Sequence, residues 1–250
     1  MTATTVFTVQ IKPLRHSQSP DLPDVLLHMT GRHGTRAPGP PSIVTERDSI
    51  WRLANILWWQ RVWAAPAFGS DWPVICFTQT TRRALAHLTT QARPRYDGIG
   101  LAFRSQAVFD AGGGPALYVR GDEFYDWQSS SLPEPMKARA VRFWPGSTEE
   151  STDDFFSLTN GAPSQWLHER EWRIPRPTAD PPSWGWTFGT SDVAFLLLRD
   201  AGQHAQLFAT LEGWARQGPT PMDLSWVWGL PVAYVVEGTW TVTPEVAGWP

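Results

Sequence analysis

Val25-Leu26-Leu27-His28-Met29-Thr30 is a compact apolar run that closes on polar groups. It reads as a buried strand whose C-terminal end carries His28 and Thr30. The next residues, Gly31 to Pro41 (GRHGTRAPGPP), form a loop by composition and set Arg32, His33 and Arg36 just past the strand. Ser42 to Trp63 is expected to be helical, with Ile50, Leu53, Ile56 and Leu57 at helical spacing. Val74 to Thr78 (VICFT) is a second short strand, and Thr80 or Thr81 is placed to cap a helix running to about Gln91.

Outward from these elements the pattern repeats. Gly98 to Phe103, Ala116 to Val119, Arg170 to Ile174, Val193 to Leu198 and Val232 to Val236 read as short strands. Upstream, Val6 to Ile11 is a further strand candidate, ahead of a Pro/Asp-rich connector. Glu134 to Phe143 and Ala201 to Ala215 read as helices, and Gly238 to Pro250 as a frayed tail. Short strands interspersed with short helices predict an α+β fold with mixed sheets. No composition shift divides the chain, so residues 1–250 are expected to form one domain, with 1–24 an N-terminal strand and connector.

Composition bounds the function. The 250 residues include 21 Lys+Arg and 24 Asp+Glu, a formal net charge of -3, which disfavours a general coat for nucleic acid. Cys76 is the single cysteine, so an intrachain disulfide and a Cys-based zinc site are both excluded. No metal is expected. Sixteen tryptophans fit large core fillers or a pocket lined by flat rings. The first residues lack the apolar core of a secretion signal, and the apolar runs are too short to span a bilayer, so no membrane contact and a soluble cytoplasmic protein are expected.

Four constellations can carry chemistry. In Glu169-Arg170-Glu171-Trp172-Arg173, residues two apart share a face of a strand, which sets Glu169 and Glu171 roughly 7 Å apart on a charged side. That is an acid/base platform, or more plainly an edge where the carboxylates pair with Arg170 or Arg173. His28 and Thr30 also share a face and suit a ribose or amide, or simply finish a strand by hydrogen bonding. The arginines Arg82, Arg83, Arg93, Arg95 and Arg104, with Arg32 and Arg36, can supply bidentate contacts to a pyrophosphate, though most of them must be plain surface. Finally, His28-Met29-Thr30 and His87-Leu88-Thr89 are two His-x-Thr triplets, the mark of 2H phosphoesterases. The residues around His87 favour helix, whereas that chemistry needs both triplets on strands. No Walker loop, Gly-x-Gly-x-x-Gly, Gly-x-Ser-x-Gly or His-Glu-x-x-His occurs. Cys76, beside Phe77 in an apolar strand, reads as core.

Taken in order, Leu27-His28-Met29-Thr30, Ile75-Cys76-Phe77-Thr78, Tyr96-x-Gly98-Ile99-Gly100-Leu101, Pro115-Ala116-Leu117-Tyr118-Val119 and Glu169-Arg170-Glu171-Trp172-Arg173-Ile174 resemble the AbiGi-type abortive-infection family of phage-defence proteins. The resemblance covers roughly Val25 to Leu198. That family's layout is similar to ADP-ribosyltransferases of the DarT and diphtheria-toxin-like kind, which implies a transferase-like fold with NAD as co-substrate. On that resemblance His28 and Thr30 would hold a ribose of NAD, and Phe77 would stack on the nicotinamide, with Thr78 beside it. Arg82 or Arg83 would contact the pyrophosphate, with Arg32 in the neighbouring loop and Tyr96 as the middle tyrosine. Glu171 would be the catalytic glutamate and Glu169 would orient the acceptor. The implied partners are a macromolecular acceptor, protein or nucleic acid, or the cognate toxin or antitoxin of a defence pair. Some members of such a family bind without catalysing, so a non-catalytic partner-binding protein is the second class.

Overall fold

The computed structural model describes residues 22–31, 48–66, 72–90, 96–143, 170–177, 184–217, 223–236, 241–243 and 249. Its strands are β1 (Val25–Met29), β2 (Arg61–Trp63), β3 (Ala65–Pro66), β4 (Pro73–Thr78), β5 (Gly100–Arg104), β6 (Gly114–Pro115), β7 (Leu117–Arg120), β8 (Ala140–Phe143), β9 (Glu171–Pro175), β10 (Gly185–Thr187), β11 (Val193–Leu198), β12 (Val232–Val236) and β13 (Thr241–Thr243). Its helices are α1 (Ser49–Trp59), α2 (Arg82–Thr90), α3 (Ser105–Asp110), α4 (Phe124–Ser129), α5 (Glu134–Arg139), α6 (Ala201–Gln217) and α7 (Ser225–Trp228). The fold is mixed α+β.

Apolar alternation explains the main sheet, ordered β13-β12-β11-β5-β1-β4-β9-β6 with β3 also on β4. Leu26, Ile75, Phe77, Leu101, Phe103, Leu196 and Leu198 project to one face, where α1 and α6 bury Leu53, Leu57, Leu207 and Leu211 against them. Val25, Leu27, Ala102, Phe195, Leu197, Ala233 and Val235 project to the other, under Leu85 of α2. All pairings in this sheet are antiparallel except β11 with β12. Two small two-stranded sheets, β2 with β10 and β7 with β8, lie beside it.

The strand β1 registers fully with β5, from Val25 opposite Arg104 to Met29 opposite Gly100. Against β4 it pairs at Leu27 opposite Thr78. At Gly100 a β-carbon would stand 2.6 Å from the His28 carbonyl oxygen, so the close approach of β5 to β1 requires glycine there.

Several local expectations need correction. The helix expected from Ser42 to Trp63 is α1 only among the described residues. Asp48 caps it by accepting from the Trp51 amide at 2.7 Å, and Gln60, at φ 46°, turns left-handed and ends it. Arg61–Trp63 then leaves as a strand paired with β10. The helix expected over Glu134 to Phe143 splits at Arg139, because Ala140–Phe143 pairs parallel with β7. Cys76, expected in the core, is exposed. The expected tail contains β13, and Trp249 is buried, its indole donating to the Thr80 carbonyl at 2.9 Å. The strand read at Val6 to Ile11 lies outside the described residues.

Phe103 is fully buried, with ring centroids 5.0 Å from both Trp186 and Phe188 and 5.8 Å from Phe77. Phe103→Ala is expected to lower stability by about 3–5 kcal/mol, read as a drop in the urea midpoint with an unchanged slope.

Candidate functional site

The end of β1 is where sequence and structure agree that polar groups collect. The Thr30 amide bonds the Ile99 carbonyl at 2.9 Å, which fixes the strand end against the approach to β5. Its buried hydroxyl faces two acceptors, the Ser49 carbonyl at 3.0 Å and the Ile99 carbonyl at 3.2 Å. The Ser49 hydroxyl donates to Asp97, whose other carboxylate oxygen accepts from the Ile99 amide at 3.2 Å. Arg52, one turn into α1, reaches the Ser49 hydroxyl at 3.5 Å. Burial lowers the Arg52 pKa, while the Asp97 and Asp48 charges act to raise it. Thr30, Ser49, Arg52 and Asp97 thus form one hydrogen-bonded group spanning β1, the start of α1 and the turn before β5.

His28 stands beside this group. Its Nδ1 lies 3.0 Å from the Cys76 carbonyl, an acceptor, so that nitrogen carries the proton. The side chain therefore bridges β1 to β4 next to their Leu27–Thr78 pair. Its ring is 5.7 Å from that of Phe77. Burial, more than the Arg52 charge, lowers its pKa, against a raising effect of the bond to Cys76.

Glu171 is elsewhere. On β9 it sits opposite Thr78, and Thr78 sits opposite Leu27. Residues aligned across strands share a face, and neighbours along a strand do not. Leu27, Thr78 and Glu171 therefore point to the face opposite His28, Phe77 and Trp172. There the Glu171 carboxylate is held by Arg173 in a bidentate pair, Nε to Oε1 at 2.9 Å and Nη2 to Oε2 at 3.3 Å. The two side chains are 11% and 3% exposed. The remaining Arg173 nitrogen, Nη1, donates to the Ala138 and Ala140 carbonyls at 3.1 and 2.9 Å. Burial acts to lower the Arg173 pKa, but Glu171, with Cys76 and Tyr118, outweighs it and the net shift is upward. The pair is a clamp joining β9 to the junction of α5 and β8.

The expected site residues divide accordingly. His28 and Thr30 come together at one strand end, and Tyr96 lies beside Asp97 there, buried. Phe77 cannot offer a face to a nicotinamide: it is 3% exposed, and Phe103, Trp186 and His28 surround its ring. Glu171 does not converge with His28, for the reasons of register given above. Thr78 is buried next to Glu171 on that opposite face. Arg82 and Arg83 open α2, which packs over the same opposite face through Leu85. His87 is on α2, so the two His-x-Thr triplets are not both on strands. Arg32 and Glu169 lie outside the described residues. Among the described residues, no group of three or more His, Cys, Asp or Glu side chains is placed to hold a metal ion, and no helix is long and apolar enough to cross a membrane.

Ser49, Arg52 and Asp97 escaped the sequence reading. The Asp48-Ser49 pair preceding an apolar-periodic run is a helix-start signal that locates the first two. Nothing local links Asp97 to them, since the contact needs α1 and the turn at Gly98 to meet.

No family model, curated protein or solved structure matches the chain.

Removing the Arg173 guanidinium would strand a buried carboxylate. Arg173→Met is expected to cost about 3–5 kcal/mol of stability, measured by chemical unfolding. A second test uses pH. Folded His28 binds its proton less readily than an unfolded imidazole near pH 6.5, so its contribution is complete above that pH and is lost as pH falls through and below it. His204, lowered by burial, titrates in the same sense. The urea midpoint is expected to fall less between about pH 7 and about pH 5 in His28→Gln than in the wild type.

Proposed function

We propose that this chain works by engaging a macromolecular partner, without using Glu171 as a transferase catalyst. The observation that carries the reading is the bidentate grip of buried Arg173 on Glu171, on the sheet face away from His28. A carboxylate that must stabilise a developing oxocarbenium charge has to be available to the sugar. This one is spent on a guanidinium.

A surface suited to a partner supports the same reading. Over the first face, Trp51 and Trp58 pack edge-on against Trp214 at 5.6 and 5.7 Å, and Trp228 packs on Phe208 at 4.4 Å. Trp59 and Trp228 remain 62% and 44% exposed. Trp228 is held edge-on by Phe208, and exposed tryptophans are among the side chains that dominate binding surfaces. The cognate toxin or antitoxin of a defence pair is the partner that the AbiGi resemblance implies.

One observation favours a second reading, transfer of ADP-ribose from NAD. His28 and Thr30 share the end of β1 with the hydrogen-bonded Ser49 and Asp97, and buried Tyr96 precedes Asp97 in the chain.

Incubation with labelled NAD and a bacterial lysate separates the two. The expected outcome is no label transferred by the wild type. Transfer by the wild type that disappears in Glu171→Gln would restore the enzyme. For the binding reading, Trp59→Ser combined with Trp228→Ser is expected to weaken partner capture at least about tenfold while leaving Tm within a few degrees.

A further inference from the structure

We propose that His204 is a proton-operated latch on the Trp228 surface: neutral, it holds the ring that supports Trp228, and protonated, it turns out to solvent and releases that ring. Four side chains from α6, α7 and β12 build the device. The Tyr234 hydroxyl, on β12, lies 3.1 Å from Nδ1 of His204 on α6. The His204 ring stands edge-on to Phe208, one turn along the same helix, with centroids 4.5 Å apart. Phe208 in turn meets the Trp228 ring of α7 at 4.4 Å and 77°. His204, Phe208 and Trp228 are thus a row of rings in continuous contact, and Tyr234 pins its His204 end.

Exposure grades along that row. His204, Phe208 and Tyr234 are half-buried, and Trp228 is exposed. Gly202, Ala205 and Gln206, beside His204 on α6, are exposed as well. The imidazole therefore sits at the margin of the apolar layer under α6, within a side-chain rotation of water.

The bond to Tyr234 supplies the trigger. In the latched form Nδ1 carries no proton and accepts from the phenol, whereas an imidazolium has donors alone. Protonation reverses the bond, so the phenol proton loses its acceptor. It also sets a charge against Phe208, where burial opposes it. Among the described residues burial alone acts on the His204 pKa, and it acts downward. The carboxylates nearest along the chain are engaged elsewhere. Asp200, one turn before His204, accepts from the Gln203 amide at 2.8 Å, and Glu212 pairs with Arg216. Asp223, ahead of α7, accepts from the Ser225 amide at 2.8 Å. On β12 the facing group is Tyr234 itself. The strand β11, which α6 also covers, has no charged residue, and α1 meets α6 at Trp214, nearly three turns from His204. A proton therefore favours the state in which His204 has left the row.

The consequence for binding rests on the partner reading above. Trp228 fixed on Phe208 is a pre-organised anchor, so capture at this surface weakens in acid. The latch itself stands without that reading.

The test is the emission of Trp228 in the full chain, taken as the spectrum minus that of the matching Trp228→Phe variant, between about pH 7.5 and about pH 5. As pH falls it is expected to move to longer wavelength, as the indole leaves Phe208 for water. The change is expected to follow a one-proton curve with its midpoint below about pH 6.5. His204→Phe, which keeps a ring and takes no proton, is expected to lose the pH dependence, and His28→Gln to keep it. Trp228 emission that is constant with pH in the wild type overturns the proposal. So does a change that survives in His204→Phe. Should that variant fail to fold, His204→Gln decides by the same comparison. The measurement needs no partner, so its failure leaves the partner reading standing, and failure of partner capture leaves the latch standing.

Discussion

Side-chain alternation across the aligned strands β1, β4 and β9 is the constraint on which the rest of this structure depends. A strand that is fixed in register has no freedom to choose which of its residues face a given layer. Leu27 opposite Thr78, and Thr78 opposite Glu171, commit every odd- and even-numbered neighbour around them. Phe77 is thereby driven into the aromatic floor beneath α1 and α6, while Glu171 and Arg173 are sent to the opposite layer. The same alignment gives His28 the position from which it reaches the Cys76 carbonyl. Chemistry at this end of the sheet has to work within that allocation.

The Glu171–Arg173 pair shows how a charged stretch becomes architecture. Burying two ions is costly unless they meet in good geometry and their other donors find acceptors. Arg173 meets both conditions, with two bonds to the carboxylate and two to carbonyls at the α5–β8 junction. The result joins two segments that are far apart along the chain, β9 and the α5–β8 junction. The Thr30–Ser49–Asp97 group does comparable work on the other side, joining β1, α1 and the turn before β5.

Much of the scaffold was legible from local pattern. The apolar runs at 25–29, 193–198 and 232–236 are strands, the amphipathic stretch from Ala201 is a helix, and the α+β class follows from their mixture. The charged side of Glu-Arg-Glu-Trp-Arg was legible too, since Glu171 and Arg173 do share a face and do pair. What period-2 reasoning cannot supply is the identity of the layer that a strand's face meets. Glu171 and His28 each sat plausibly near a strand end, yet their separation depends on pairings between β1, β4 and β9 across more than a hundred residues of sequence. The family resemblance implied a ring-stacking role for Phe77, and nothing local announces that Phe103 and Trp186 occupy its surroundings. Cys76 was misread for a related reason: its strand is central, but the layer above its side chain leaves it open.

Trp249 carries one more consequence. Its indole closes on the Thr80 carbonyl and its ring lies 4.9 Å from Phe195, so the niche it fills is built from residues made long before it. During ribosomal synthesis that hollow stays vacant until Trp249 itself has been made. Contacts of such long sequence separation are slow to close because the loop entropy must be met first. Phe195 therefore lacks that cover from its own synthesis until Trp249 docks, and over that interval Leu85 of α2 is the other side chain packed on the same layer.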